Sequence, residues 1–245
     1  MIKLERNYTP ILLNPSFVIT QTAVFASTGK AVWNIDWLKE SLLNIGLNKC
    51  CYCECDIKEE SKYMEVEHFE DKNHYPSKVL DWENLLPSCK RCNGSKSNHN
   101  VIKYPIVNPF IIEPKKHLQF KLYRIRKKDV IGQNTIDAVN LNHIERAVNK
   151  RFEVGKGLEE LIDIALERLN LYKENNLTVR RNKLLNIVEK TLNECQCNSI
   201  YSATCSTILH LNDDYKEIRN EMITLNLWNS TFEKLHILSK RLSLE

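Results

Sequence analysis

Two Cys-x-x-Cys units, Cys50-Cys51-Tyr52-Cys53 and Cys89-Lys90-Arg91-Cys92, constrain this chain more than any other feature. Each unit presents two thiols from a tight knuckle, and two such pairs make the tetrahedral sulfur shell that Zn²⁺ prefers. The first knuckle leaves alternatives open, because Cys51 and Cys55 could enter the shell with a different gap; the matching spacing of the second unit favours Cys50 and Cys53. A simple ribbon separates its pairs by about 15 to 20 residues. Here 35 residues, 54–88, intervene. The metal therefore clamps the ends of an insert long enough to carry a function.

Inside the insert, "YMEVEHF" is rich in strand formers and partly alternating, and "LLPSC" is a second short apolar run. "KRCNGSKSN" then opens a helix that carries Asn93 toward the same space. A β, β, α unit of this size has almost no apolar core and needs its metal to hold shape. Upstream, Ile35, Leu38, Leu42 and Ile45 recur at helical spacing, so a helix is expected between Trp33 and Ile45. Beyond Asn134, one stripe runs through Leu158, Leu161, Ile162, Ala165, Leu166, Leu169 and Tyr172, and a second through Leu184, Val188, Leu192 and Cys195. These predict a helical bundle, with Gly132, Gly155 and Gly157 at its connections. The expected class is α+β: a zinc-stapled ββα module within residues 1–133, followed by a mostly α-helical region, residues 134–245.

With 42% hydrophobic and 27% charged residues, and no apolar run near the roughly 20 residues that cross a bilayer, the chain reads as a globular protein without a membrane span. The early stretch "FVITQTAVFASTGKAVW" is interrupted by polar residues and lacks a basic leader. Nine cysteines without an export signal point to reduced cytoplasmic thiols or metal-bound thiolates. Cys195, Cys197 and Cys205 fall in helical sequence, and Cys195 reads as core. His99, His117, His143, His210 and His236 lie outside any motif and read as surface or structural. A net charge of +4 does not by itself require a nucleic-acid partner. "PKKHLQFKLYRIRKK", which contains Lys121, Arg124 and Arg126, is either a solvated strand face or a phosphate-tracking surface.

The first knuckle, "VEHF" and "WENLLPSCKRCNGSK" together resemble an HNH endonuclease of the zinc-containing ββα-metal class. "MIKLERNYTP", "KCCYCE", "NPF" with "HLQF", and "TIDAVNLN" resemble the HNH nuclease subunit of Septu-type and retron-associated anti-phage systems. That resemblance implies His68 as general base, Glu67 and Asn93 as oxygen ligands of a catalytic Mg²⁺ or Mn²⁺ separate from the zinc, and Asn84 as a brace of the intervening loop. It implies hydrolysis of phosphodiester bonds in DNA, although a motif that acts on phosphate does not distinguish DNA from RNA. Lys90, Arg91 and Lys96, on the helix after the second knuckle, would meet neighbouring phosphates. The implied partners are an ABC-type ATPase subunit, since the chain has no nucleotide loop of its own, and in retron-associated systems a reverse transcriptase with its nucleic acid. The helical region would then be a docking surface. The competing class is a non-catalytic Cys₄ zinc module acting as a DNA-binding or scaffolding adaptor, which leaves the spacing of Glu67, His68 and Asn93 unexplained.

Overall fold

The computed structural model describes residues 1–58 and 64–245. Two compact units divide them, one of Met1–Gln119 with Ile125–His143 and the other of Phe120–Arg124 with Ile144–Glu245. In the first unit, helices α1 (Pro15–Thr28) and α2 (Asp36–Ile45) precede strands β1 (Met64–His68) and β2 (Leu85–Cys89), and helix α3 (Lys90–Lys96) follows. α2 buries Leu38, Leu42 and Ile45, the positions its periodicity marks for one face. β1 and β2 pair antiparallel, from Met64 opposite Cys89 to His68 opposite Leu85. In a ribbon of two strands each strand has a free edge, so Pro87 is tolerated despite its missing N–H. Its carbonyl accepts a 3.0 Å bond from the Cys51 amide, tying the first knuckle to β2.

Strands β3 (Leu118–Lys121) and β4 (Arg124–Lys127) form a hairpin, and α4 (Val130–Ala138) follows it. The boundary expected after residue 133 falls inside α4, which lies whole in the first unit. Gly132 is not a connection but part of α4: a Cβ there would stand 2.1 Å from the His117 carbonyl oxygen, so the glycine lets the helix backbone approach that carbonyl.

The second unit is helical: α5 (Asn149–Glu174), α6 (Thr178–Asn193), α7 (Ser202–Leu211), α8 (Asp213–Thr224) and α9 (Ser230–Leu242). Leu158, Ile162, Ala165 and Leu169 of α5 pack with Leu184, Val188 and Leu192 of α6 in a core that also includes Cys195, Cys205, Met222 and Phe232. Asn212 and Asn229 cap α8 and α9 through their side chains, which satisfies amides that a helix start leaves open. Gly155 and Gly157 lie within α5 and mark no connection. A Cβ at Gly155 would meet Ile208 Cδ1 at 2.6 Å and the Tyr123 ring at 2.7 Å, so the glycine serves close packing. No helix among the described residues is long and apolar enough to cross a membrane.

His210, on α7, is buried, 2.8 Å from Ser239 Oγ and packed against the rings of Tyr215 and His236. Loss of solvation, reinforced by the charges of His236 and Lys240, lowers its pKa to about 4. The unfolded chain takes up this proton near pH 6.5 and the folded chain only near 4, so the unfolded state binds more protons between those values. Its contribution to stability is complete above about pH 6.5 and is lost as pH falls toward 4. We predict that His210→Gln flattens the fall in melting temperature across that window; a slope equal to the parent's would remove His210 as its source.

Candidate metal centre and active-site cleft

Cys50, Cys53, Cys89 and Cys92 bring their sulfur atoms within 4.8 Å of one another. Four Zn–S bonds of about 2.3 Å in a tetrahedron would set sulfurs about 3.8 Å apart. Cys53 and Cys89 stand 3.8 Å apart, so the set fits zinc. Cys51 is buried outside the set, and Cys55 lies beside it, its Sγ 3.4 Å from that of Cys53. Cys89 ends β2 and caps α3, its Sγ accepting from the Cys92 amide. One residue thus joins the strand, the helix and the thiol cluster.

That junction sets which face of α3 meets β1. Residues two apart on a strand share a face, and residues three apart on a helix are neighbours. Glu65 accepts a short hydrogen bond from Asn93 Nδ2, and Glu67 Oε1 lies 2.6 Å from Lys96 Nζ. Lys96 Nζ also donates to the His68 carbonyl at 2.8 Å. Glu67 and Lys96 are both buried, and the Tyr52 hydroxyl lies 3.5 Å from the Glu67 carboxylate. Burial pushes the Glu67 carboxyl up to about 7, against the downward pull of Lys96. Lys96, expected on the helix surface among phosphates, is therefore an interior counter-ion.

His68 points away from this pair, as strand alternation requires. Its Nε2 lies 3.0 Å from the Val79 carbonyl, which can only accept, so Nε2 carries the proton and Nδ1 holds a lone pair. The Trp33 ring stands edge-on to the imidazole, centroids 4.5 Å apart. Burial, reinforced by the charges of Lys72 and Lys96 against the Val79 bond, lowers the His68 pKa to about 4, leaving the ring neutral at physiological pH. Asn84 is buried and makes backbone hydrogen bonds only: its Nδ2 donates to the carbonyls of Glu70 and Lys78, and its Oδ1 accepts from the Glu70 amide. It closes the loop that presents the Val79 carbonyl to His68.

These groups meet in an open cleft of about 480 Å³ whose lining includes Glu65, Glu67, His68, Asp71 and Asn93 together with Trp33, Lys39 and Lys72. A carboxamide and three carboxylates are hard oxygen donors of the kind that hold divalent cations. Asn93 uses its amide nitrogen on Glu65, which leaves its carbonyl oxygen as the atom it could offer to a cation. Asp71 is engaged by His74 Nδ1 at 2.7 Å. Arg91 donates to the Asn140 carbonyl and lies 3.4 Å from Cys92 Sγ, so it braces the knuckle. Lys90 is exposed, and neither it nor Lys121, Arg124 and Arg126 of the hairpin line the cleft.

The HNH endonuclease family profile matches residues 50–99, from the first thiol of the cluster to just beyond α3. The whole chain is also similar to the Septu protein PtuB of Bacillus thuringiensis, 40% identical over 96% of this chain and 92% of that protein. The chain belongs to the PtuB family. A more distant member, the Septu protein PtuB of Bacillus mycoides, is 26% identical over 98% of this chain and all of that protein. The HNH match contains His68, Asn84, Asn93 and all four clustered thiols. Trp33 and Lys39 precede it and reach the cleft only through the fold of this PtuB-family chain. Glu65 was findable, since alternation places it beside Glu67; Trp33, Lys39 and Lys72 carry no local signal.

Cys89→Ser should lose the bound zinc and lower the melting temperature of the first unit, whereas Cys51→Ser should keep about one zinc per chain. Metal analysis beside thermal unfolding checks this. Full zinc content in Cys89→Ser would break the four-thiol assignment.

Proposed function

We propose that this chain is a metal-dependent HNH endonuclease that hydrolyses phosphodiester bonds of DNA, acting as the nuclease of a Septu-type anti-phage defence system. The observation that carries the reading is the cleft: it is lined both by a neutral imidazole with its Nε2–H fixed on the Val79 carbonyl and by oxygen donors from β1 and α3. Family membership supports the same chemistry. His68 takes a proton from the attacking water through Nδ1, and the Val79 bond shares the positive charge that develops on the ring. Asn84 acts as a positioning residue by holding the loop that carries Val79. Glu67 and Asn93 would hold Mg²⁺ or Mn²⁺, and a divalent ion there supplies charge stabilisation to the scissile phosphate and its leaving oxygen. Lys96 keeps Glu67 paired within the protein and restrains the His68 backbone.

We also assign the helical unit a docking role toward an ABC-type ATPase subunit that controls cleavage. Its open groove between Phe120, Tyr123 and Leu211, with Leu122 75% exposed and Leu211 55% exposed, supports a protein partner.

His68→Ala should lower cleavage by about 10²- to 10⁴-fold while zinc content, melting temperature and nucleic-acid binding stay at parental levels, and added metal should not restore it. Glu67→Gln and Asn93→Ala should raise the Mg²⁺ or Mn²⁺ concentration needed for half-maximal cleavage. The assay is plasmid cleavage by the assembled complex across a metal titration, with binding followed in parallel. Parental cleavage by His68→Ala would remove the general-base assignment; binding without cleavage by the parent would favour the adaptor class.

A further inference from the structure

The cleft contains two cations that sequence reasoning did not single out. Lys39 comes from α2 and Lys72 from the loop after β1, and both line the cleft together with Glu65 and Asn93. The carboxylates of the cleft are engaged elsewhere: Glu67 by Lys96, Asp71 by His74 and Glu65 by Asn93. Neither Lys39 nor Lys72 forms an ion pair among the described residues. Lys72 Nζ lies over the Trp33 ring at 5.5 Å from its centroid. A cation–π contact positions an ammonium without neutralising it. Trp33 itself is fixed edge-on by Phe25 on one side and His68 on the other, so the Lys72 charge is anchored to the same ring that packs on the base. Meanwhile the helix-surface cations expected to meet phosphates are spent elsewhere: Arg91 braces the knuckle and Lys96 is interior.

Resting on the nuclease reading, we infer that Lys39 and Lys72 are the cleft's phosphate contacts, binding non-bridging oxygens of the nucleic-acid backbone beside the phosphate that faces His68. A strand laid in the cleft would meet these two ammonium groups among the residues that line it. Lys90, exposed on α3 and outside the cleft, has no part in this contact.

The test uses the full-length, zinc-loaded protein and a labelled DNA duplex without added Mg²⁺ or Mn²⁺, so that binding is read without cleavage. Affinity is followed by fluorescence anisotropy from about 50 to 200 mM salt, where each lost phosphate contact reduces the slope of log K against log salt by about 0.9. Lys39→Gln and Lys72→Gln should each show that reduction, and the double variant nearly twice as much. Lys72→Arg should keep the parental slope and Lys90→Gln should not change it. Zinc content and melting temperature accompany every variant, with Lys39→Ala and Lys72→Ala as replacements for any that fails to fold. Parental slopes in the folded Gln or Ala variants, or an equal reduction in Lys90→Gln, would overturn the assignment while leaving an active nuclease intact. A parent that neither binds nor cleaves would overturn the nuclease reading itself. An RNA duplex run in parallel shows which nucleic acid supplies the phosphates, and loss of slope on either one supports the contact.

Discussion

Convergence of four thiols from two distant knuckles organises everything else in the first unit. Cys89 is the hinge of that arrangement, since it closes β2, caps α3 and joins the cluster at once. The amide of Cys51 on the Pro87 carbonyl then ties the first knuckle to the middle of β2. With β2 placed, the antiparallel ladder sets the register of β1 residue by residue, from Met64 to His68. A metal held by the four thiols would add its binding energy to the folding energy at this junction. The cleft inherits its geometry from a clamp whose ligands lie outside its lining.

Amid the buried apolar side chains of the strands, the site holds one buried ion pair. An ion pair buried as deeply as Glu67 and Lys96 gains little net stability, because desolvation of both groups opposes their attraction; removing one partner alone costs about 3 to 5 kcal/mol. Its value lies in orientation. Lys96 bonds a side chain of β1 and the next backbone carbonyl together, which restrains the strand at the residue that carries the imidazole. Asn84 does the same for the opposing loop, entirely through backbone groups. His68 is thus held from two sides, at its carbonyl by Lys96 and at its ring by the loop that Asn84 braces.

The thiol clamp, the two strands, α3 and the helical half were legible because each has a local signature: paired cysteines, alternation, or a period near four in the apolar residues. Gly155 misled because a glycine chosen for close helix packing looks, in sequence, like one chosen for a turn. Lys96 misled for a related reason. A lysine three residues after Asn93 reads as helix-surface charge until the facing strand is known to carry Glu67. Trp33 and Lys39 were invisible, since their place opposite His68 arises from the packing of segments far apart in the chain.

Adjacency of Glu67 and His68 makes β1 intolerant of a change in length. Because neighbouring residues on a strand face opposite ways, inserting or deleting one residue between Met64 and His68 would exchange the partners of the two side chains, turning the imidazole toward Lys96 and the carboxylate toward Trp33. A shift of two would restore the facing but move each group by about 6.6 Å along the strand, out of reach of its partner. The place of the histidine is therefore counted in residues along the ladder, and a change in chain length leaves the site intact only if it falls in the connectors on either side of it.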